Sequence, residues 1–172
     1  MYRTLPYIGL FVVAVLLQVF LFDNLSISVY LNPLVYVVFL ALLPLDAQPV
    51  TLLGGGLLLG ITMDLAMGAA GINTIAMLPV AFFRPTLAGM ICGRENVREG
   101  GIPSPGRLGT HKFFVYMTTL ILIHHTIFFL LEALSWNHLL HTVLRIVVSS
   151  AVTLAFCWII DRLFTAKLPA RV

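Results

Sequence analysis

The sequence predicts an all-α integral membrane protein: a compact bundle of six transmembrane helices with both termini in the cytoplasm. Three observations carry that prediction. The 172 residues are 60% hydrophobic and only 10% charged, with a mean hydropathy of +1.03, whereas a soluble domain is nearer a quarter charged. The apolar residues fall into six runs of roughly spanning length. Lysines and arginines gather on alternate turns, as the positive-inside rule asks of cytoplasmic segments. The length suits one transmembrane domain over residues 1–172, with no second-domain boundary. The net charge of +3 comes with no basic face interleaved with aromatics, so nucleic acid is not an expected partner and the lipid bilayer is.

The first span, about 5–22, resembles a signal peptide in hydrophobicity. Phe20-Leu21-Phe22-Asp23 is bulky where small residues would mark a cleavage site, so the span is expected to stay uncleaved. Gln18, toward its far end, suits a hydrogen bond to a neighbouring helix. The second span covers about 27–45. Pro33 near its start either kinks it or marks where an interfacial entry becomes helix. Residues 44–49 are a short turn, and the third span follows over about 50–70. Gly71 is expected to break it, and Asn73 to cap the fourth span, about 74–92. Pro79 and Pro85 interrupt that span, which could end near Arg84 and continue as a shallow segment. Residues 93–111 form the one long polar loop. They are too rich in glycine and proline for continuous helix, and suit a short amphipathic start on anionic headgroups followed by a flexible turn. Its glycines lack the G-K-[ST] of a phosphate loop. The fifth and sixth spans, about 113–134 and 139–164, are joined by Ser135-Trp136-Asn137-His138.

Sidedness follows from charge. With six spans, Arg3, Arg94, Arg98, Arg107, Lys112, Arg162, Lys167 and Arg171 share one face, while Asp23, Glu132 and His138 lie on the other. That asymmetry makes the first face cytoplasmic.

The third span organises the rest. Gly56, Gly60, Asp64 and Gly68 recur every fourth residue and form one ridge of small side chains with a carboxyl near its middle. Such a ridge lets another helix approach backbone to backbone. The carboxyl would cost roughly 2.5–3.5 kcal/mol in lipid, so it is expected to face protein or water. Arg84 is one candidate partner for Asp64. If the turn centres near Gly71, Arg84 lies about 9 Å too deep at 1.5 Å per residue, which favours snorkelling to the cytoplasmic interface over pairing. Arg145 is an alternative partner for Asp64 or for Glu132.

Leu17-Gln18, Pro33, Pro44 and the run Gly60-Ile61-Thr62-Met63-Asp64-Leu65, with Gly71 soon after, resemble the bacterial rod shape-determining protein MreD family. The resemblance covers most of the chain in size and span order, and is densest from Pro33 to Arg84. It implies a non-enzymatic scaffold of the elongation complex in the bacterial inner membrane, supporting cell shape and peptidoglycan synthesis. The implied partners are an MreC-like membrane protein, and beside it the glycosyltransferase RodA, a class B penicillin-binding protein and MreB. The family is also similar in outline to the six-helix substrate-binding subunits of energy-coupling-factor transporters. A small-solute-binding subunit of a membrane transporter is therefore the alternative function.

The residues themselves point away from an enzyme, a metal or a cofactor. Cys92 and Cys157 lie toward the reducing side, where a disulfide is not expected. Ser149-Ser150 lacks the G-x-S-x-G setting of a nucleophile. His124 and His125 point about 100° apart on a helix and cannot pair on one metal. His125, Glu132, His138 and His141 could in principle gather round zinc, and interhelical hydrogen bonds are the simpler expectation. A hydrolase built on these groups is the third reading, and it lacks a convincing nucleophile.

Overall fold

The computed structural model describes residues 5–23, 31–133 and 139–166. Among them the secondary structure is entirely helical. The elements are α1 (Leu5–Phe22), α2 (residues 35–42), α3 (Pro49–Met67), α4 (Ile72–Ile91), α5 (Arg94–Glu99), α6 (Pro105–Leu108), α7 (Thr110–Ala133) and α8 (Leu139–Ala166). Five of these, α1, α3, α4, α7 and α8, are long and apolar enough to cross a membrane. The chain is a multi-pass helical membrane protein.

The second predicted span needs correction. Over 27–45, residues 24–30 lie outside the described residues and 31–34 are not helical. Val35–Val37 form a 3-10 turn, and Val38–Leu42 an α-helical one. This α2 rises roughly 13 Å, less than half of a ~30 Å hydrocarbon core. Pro33 supplies no N–H and disfavours helix in the residue before it, which explains the extended entry. The segment is apolar all round because nothing in it faces lipid: Leu34 to Val38 and Leu40 to Leu42 are 0% exposed. It contacts each of the five long helices, so α2 is the plug at the centre of the bundle. Non-helical backbone at membrane depth is tolerable where protein buries it.

Around this plug, α4 packs against α3 on one side and α7 on the other, and α8 closes on α7. Neither Pro79 nor Pro85 ends α4, which runs on to Ile91. The expected stop near Arg84 does not occur. α3 ends earlier than predicted, at Gly68, whose φ of 65° places it in the left-handed region that favours glycine. Gly71, with φ of 90°, then starts α4. The last six residues of α1, Leu17–Phe22, are wound as π-helix, a widening that often accompanies functional or packing sites.

The polar loop is fastened rather than free. Leu45 N–H donates to the Gly101 carbonyl at 2.9 Å, and Gly101 N–H to Asp46 Oδ1 at 3.3 Å. α5 and α6 are its two short helices, with the Glu99–Arg107 ion pair (3.3 Å) bridging between them. The connector at 135–138, with Trp136 and His138, lies outside the described residues, as do both chain ends.

Candidate functional site

Because α2 is too short to satisfy its surroundings by itself, the polar side chains of the other helices converge on it. At its entry, Gln18 is fully buried. Its Nε2 donates to the Pro33 carbonyl at 3.2 Å, and its Oε1 accepts from Val35 N–H at 2.7 Å. Asn32 N–H donates to Ser149 Oγ of α8 at 3.0 Å. The extended backbone before α2 is thus paired with side chains where an ordinary span would have its own ladder.

At its exit, α2 is capped by Arg84. This residue is 0% exposed. Its Nη2 donates to the carbonyls of Ala41 (3.3 Å) and Leu43, and its Nη1 to that of Pro44 (3.2 Å). Tyr116 Oη adds a bond to the Ala41 carbonyl at 3.1 Å, with its ring 6.0 Å from the guanidinium. Arg84 therefore neither snorkels nor pairs with Asp64. A guanidinium placed where carbonyls converge at a helix C-terminus meets them with both terminal nitrogens, leaving Nε without a partner, and gains the dipole's negative end.

Asp64 has a different task. Its Oδ1 accepts from Asn73 N–H (2.9 Å) and Asn73 Nδ2 (3.0 Å). Its Oδ2 accepts from Thr74 N–H (3.0 Å) and Thr74 Oγ1 (2.5 Å). The carboxylate of α3 is thus the N-terminal cap of α4, supplying acceptors that the first turn of a helix lacks. Asn73 does not cap α4. It lies inside the first turn and hands the network inward: Tyr36 Oη donates to Asn73 Oδ1 at 2.7 Å. Having used its proton there, Tyr36 Oη accepts from His124 Nε2 at 2.9 Å. The result is one file of polar groups, Asp64–Asn73–Tyr36–His124, from the end of α3 through α2 to α7, half-buried at Asp64 and fully buried from Asn73 inward. It leaves His124 Nδ1 as a bare acceptor, buried and without a hydrogen-bond partner.

His125 carries the opposite tautomer. Its Nδ1–H donates to the Ile121 carbonyl (3.0 Å), and its Nε2 accepts from Thr153 Oγ1 of α8 (3.1 Å). Both histidines are therefore helix-to-helix hydrogen-bonding groups. Among the described residues no three metal-ligating side chains come together; His138 lies outside them. Arg145 pairs with Glu132 at 3.0 Å and lies 4.7 Å over the Phe129 ring, taking the Glu132 option of its two.

The glycine ridge closes on α4 within the chain. A Cβ at Gly56 would lie 3.0 Å from the Ala81 Cβ, and one at Gly60 only 2.5 Å from the Thr74 Cα. Gly68 is no part of that contact, since it ends the helix and a Cβ there would meet nothing within 4 Å. A second pair, Gly54 and Gly55, faces elsewhere and floors a groove of about 970 Å3 between α1 and α3. Both sets of glycines sit in the same run, and only the partner helix distinguishes them.

Of the predicted residues, the structure brings Asp64 and Asn73 together, sets Gln18 and Arg84 at opposite ends of α2, and keeps Arg145 with Glu132 at the far end of α7 and α8. Sequence reasoning missed Tyr36, Thr74, Tyr116 and Thr153. The available signal was an apolar segment carrying one hydroxyl, Tyr36, which must find a partner when buried. The chain matches no known family profile, no curated protein and no solved structure.

Proposed function

We propose that this chain is a non-enzymatic membrane scaffold of the MreD type, acting in a bacterial inner membrane beside an MreC-like single-span partner. In this reading it helps position a wall-synthesis complex of the RodA and class B penicillin-binding protein kind, with MreB on the cytoplasmic side. The observation that carries it is the use made of the interior polar groups. Gln18, Asp64, Asn73 and Arg84 direct their hydrogen bonds to backbone, to one another, or to the hydroxyls of Tyr36 and Thr74. They hold a broken span rigid, as a frame for other proteins requires. Because α4 fills the glycine ridge, the partner helix uses another outer face.

The solute-binding alternative needs convergent polar groups around a pocket at the outer end of the bundle. The polar file that begins there, at Asp64, instead runs inward from side chain to side chain and ends at His124. Capture of the full-length chain from its native membrane in mild detergent separates the readings. A stoichiometric single-span MreC-like protein is the expected companion. Recovery with an energy-coupling ATPase, or turnover of a lipid-linked substrate by the purified chain, would overturn the scaffold reading.

A further inference from the structure

The groove between α1 and α3 has a polarity gradient that a packing defect would not need. Its deep part is apolar, with Phe11 of α1 and Leu58 of α3 facing across a floor of Gly54, Gly55 and Phe39. Phe39 itself is fixed by an edge-on contact with Phe11, ring centroids 5.3 Å apart. The other end is lined by Asp46, Glu99 and Arg107, from the 44–49 turn and the polar loop. Along α3, Thr51 to Leu58 covers about 10 Å at 1.5 Å per residue, most of one leaflet of a ~30 Å hydrocarbon core. The volume, about 970 Å3, is at the upper end of the roughly 300–1,000 Å3 of ligand sites.

We propose that this groove holds one phosphatidylethanolamine-type phospholipid, one of its two acyl chains over Gly54 and Gly55 and its headgroup against Arg107, Asp46 and Glu99. Two features select this occupant. First, the groove ends under the fastened loop: the Leu45–Gly101 and Gly101–Asp46 bonds hold the chain across its mouth. A transmembrane partner helix, 10–12 Å across with its side chains, would have to continue through that loop, whereas a lipid terminates there. Second, the charges come in both signs. Arg107 gives one N–H to Glu99 and has further donors for a phosphate. Asp46 Oδ2 and the largely exposed Glu99 carboxylate can accept from a primary ammonium. Phosphatidylglycerol lacks the ammonium, and phosphatidylcholine's quaternary ammonium lacks the N–H donors.

The glycines supply the test. A Cβ at Gly54 meets nothing within 4 Å, so Gly54→Leu fills the groove without disturbing the fold. Gly89 on α4 is equally open and lies outside the groove, so Gly89→Leu is the matched control. The full-length protein, delipidated in detergent, is titrated with phosphatidylethanolamine, phosphatidylglycerol and phosphatidylcholine and read by native mass spectrometry. Phosphatidylethanolamine should bind at one per chain, at least tenfold tighter than the other two. Gly54→Leu should abolish that binding, Arg107→Gln should weaken it about tenfold, and Gly89→Leu should leave it unchanged. Equal binding of all three lipids, or unchanged binding in Gly54→Leu, overturns the proposal. So does loss of a protein companion from Gly54→Leu while its lipid is retained, which would make the groove a protein interface. The lipid titration needs no partner protein, so its failure and that of the scaffold reading are separable.

Discussion

Gly56 and Gly60 lie beneath α4, whereas Gly54 and Gly55, less than two turns away on the same helix, face the space beside α1. In the first region every ångström is used: the missing side chains let the α4 backbone come so close that a Cβ at Gly60 would overlap the Thr74 Cα. In the second, Gly54 has no neighbour within 4 Å of where its Cβ would be. Spacing alone does not separate the two. What does is the cap above: Asp64 ties the start of α4 to α3 through four hydrogen bonds, pulling the helices together over Gly60. The buried polar anchor of α1, Gln18, serves the entry of α2 instead.

The comparison breaks most severely at Gly60. Gly60→Leu drives a side chain into backbone, which cannot move aside as a flexible side chain would. The expected cost is about 3 kcal/mol or more, seen as loss of a monodisperse species on size exclusion in detergent. Gly56→Ala should cost less, about 1 kcal/mol, because its nearest neighbour is the Ala81 side chain. A Gly60→Leu protein with an unchanged melting temperature would mean that α3 and α4 are not in contact there.

Next in size is Arg84. Replacing it with Met keeps the volume and removes the donors from the Ala41, Leu43 and Pro44 carbonyls. Buried carbonyls left without partners cost about 1–3 kcal/mol each, part of which the Tyr116 bond to Ala41 offsets. A net loss of about 2–4 kcal/mol is expected in thermal melts, with Arg84→Lys falling between because an ammonium cannot fork across three acceptors. Equal melting temperatures for Met and Arg at this position would remove the cap from the account of α2.

These two residues also mark how far the sequence could be read. Gly68 belongs to the helix end and not to the contact, but the Gly56 and Gly60 part of the small ridge, the membrane class and the hydrogen-bonding role of Gln18 were legible, because each depends on periodicity or on polarity set against an apolar run. Arg84 was not, since its partners are carbonyls some forty positions away that every residue type carries. The broken second span was hidden for a related reason. An apolar run facing lipid and one encased by protein have the same composition, and only Pro33 and Tyr36 hinted at the difference. The Asp64 cap was half legible: the carboxyl was expected to face protein or water, but its partners are uncharged donors on the first turn of the following helix, not the arginines considered for it. Gly54 and Gly55 could not be told from Gly56 and Gly60 at all without the position of α4.

Asp64 sharpens the comparison at a smaller scale. Asp64→Leu removes all four acceptor contacts, at about 2 kcal/mol. Asp64→Asn keeps one carbonyl oxygen but turns an NH2 toward donors, and should cost about 1 kcal/mol. Both variants should loosen the α3–α4 hairpin first, read as faster amide hydrogen exchange at Asn73 and Thr74. If the two substitutions cost the same, the carboxylate acts as a volume and not as a cap.

The smallest expected effect is the most discriminating. Gly54→Leu adds a large side chain to the same helix that cannot tolerate one at Gly60, yet it should leave the melting temperature unchanged or slightly raised. Leucine gains up to about 1 kcal/mol over glycine in helix propensity, and a Cβ at Gly54 meets nothing within 4 Å among the described residues. Opposite signs for one chemical change six residues apart would place the difference in what lies opposite each glycine, the Thr74 backbone in one case and open groove in the other. A melting temperature lowered as far as in Gly56→Ala would instead mean that α1 closes onto α3 in solution. The space beside Gly54 would then belong to the packed core and could receive no ligand.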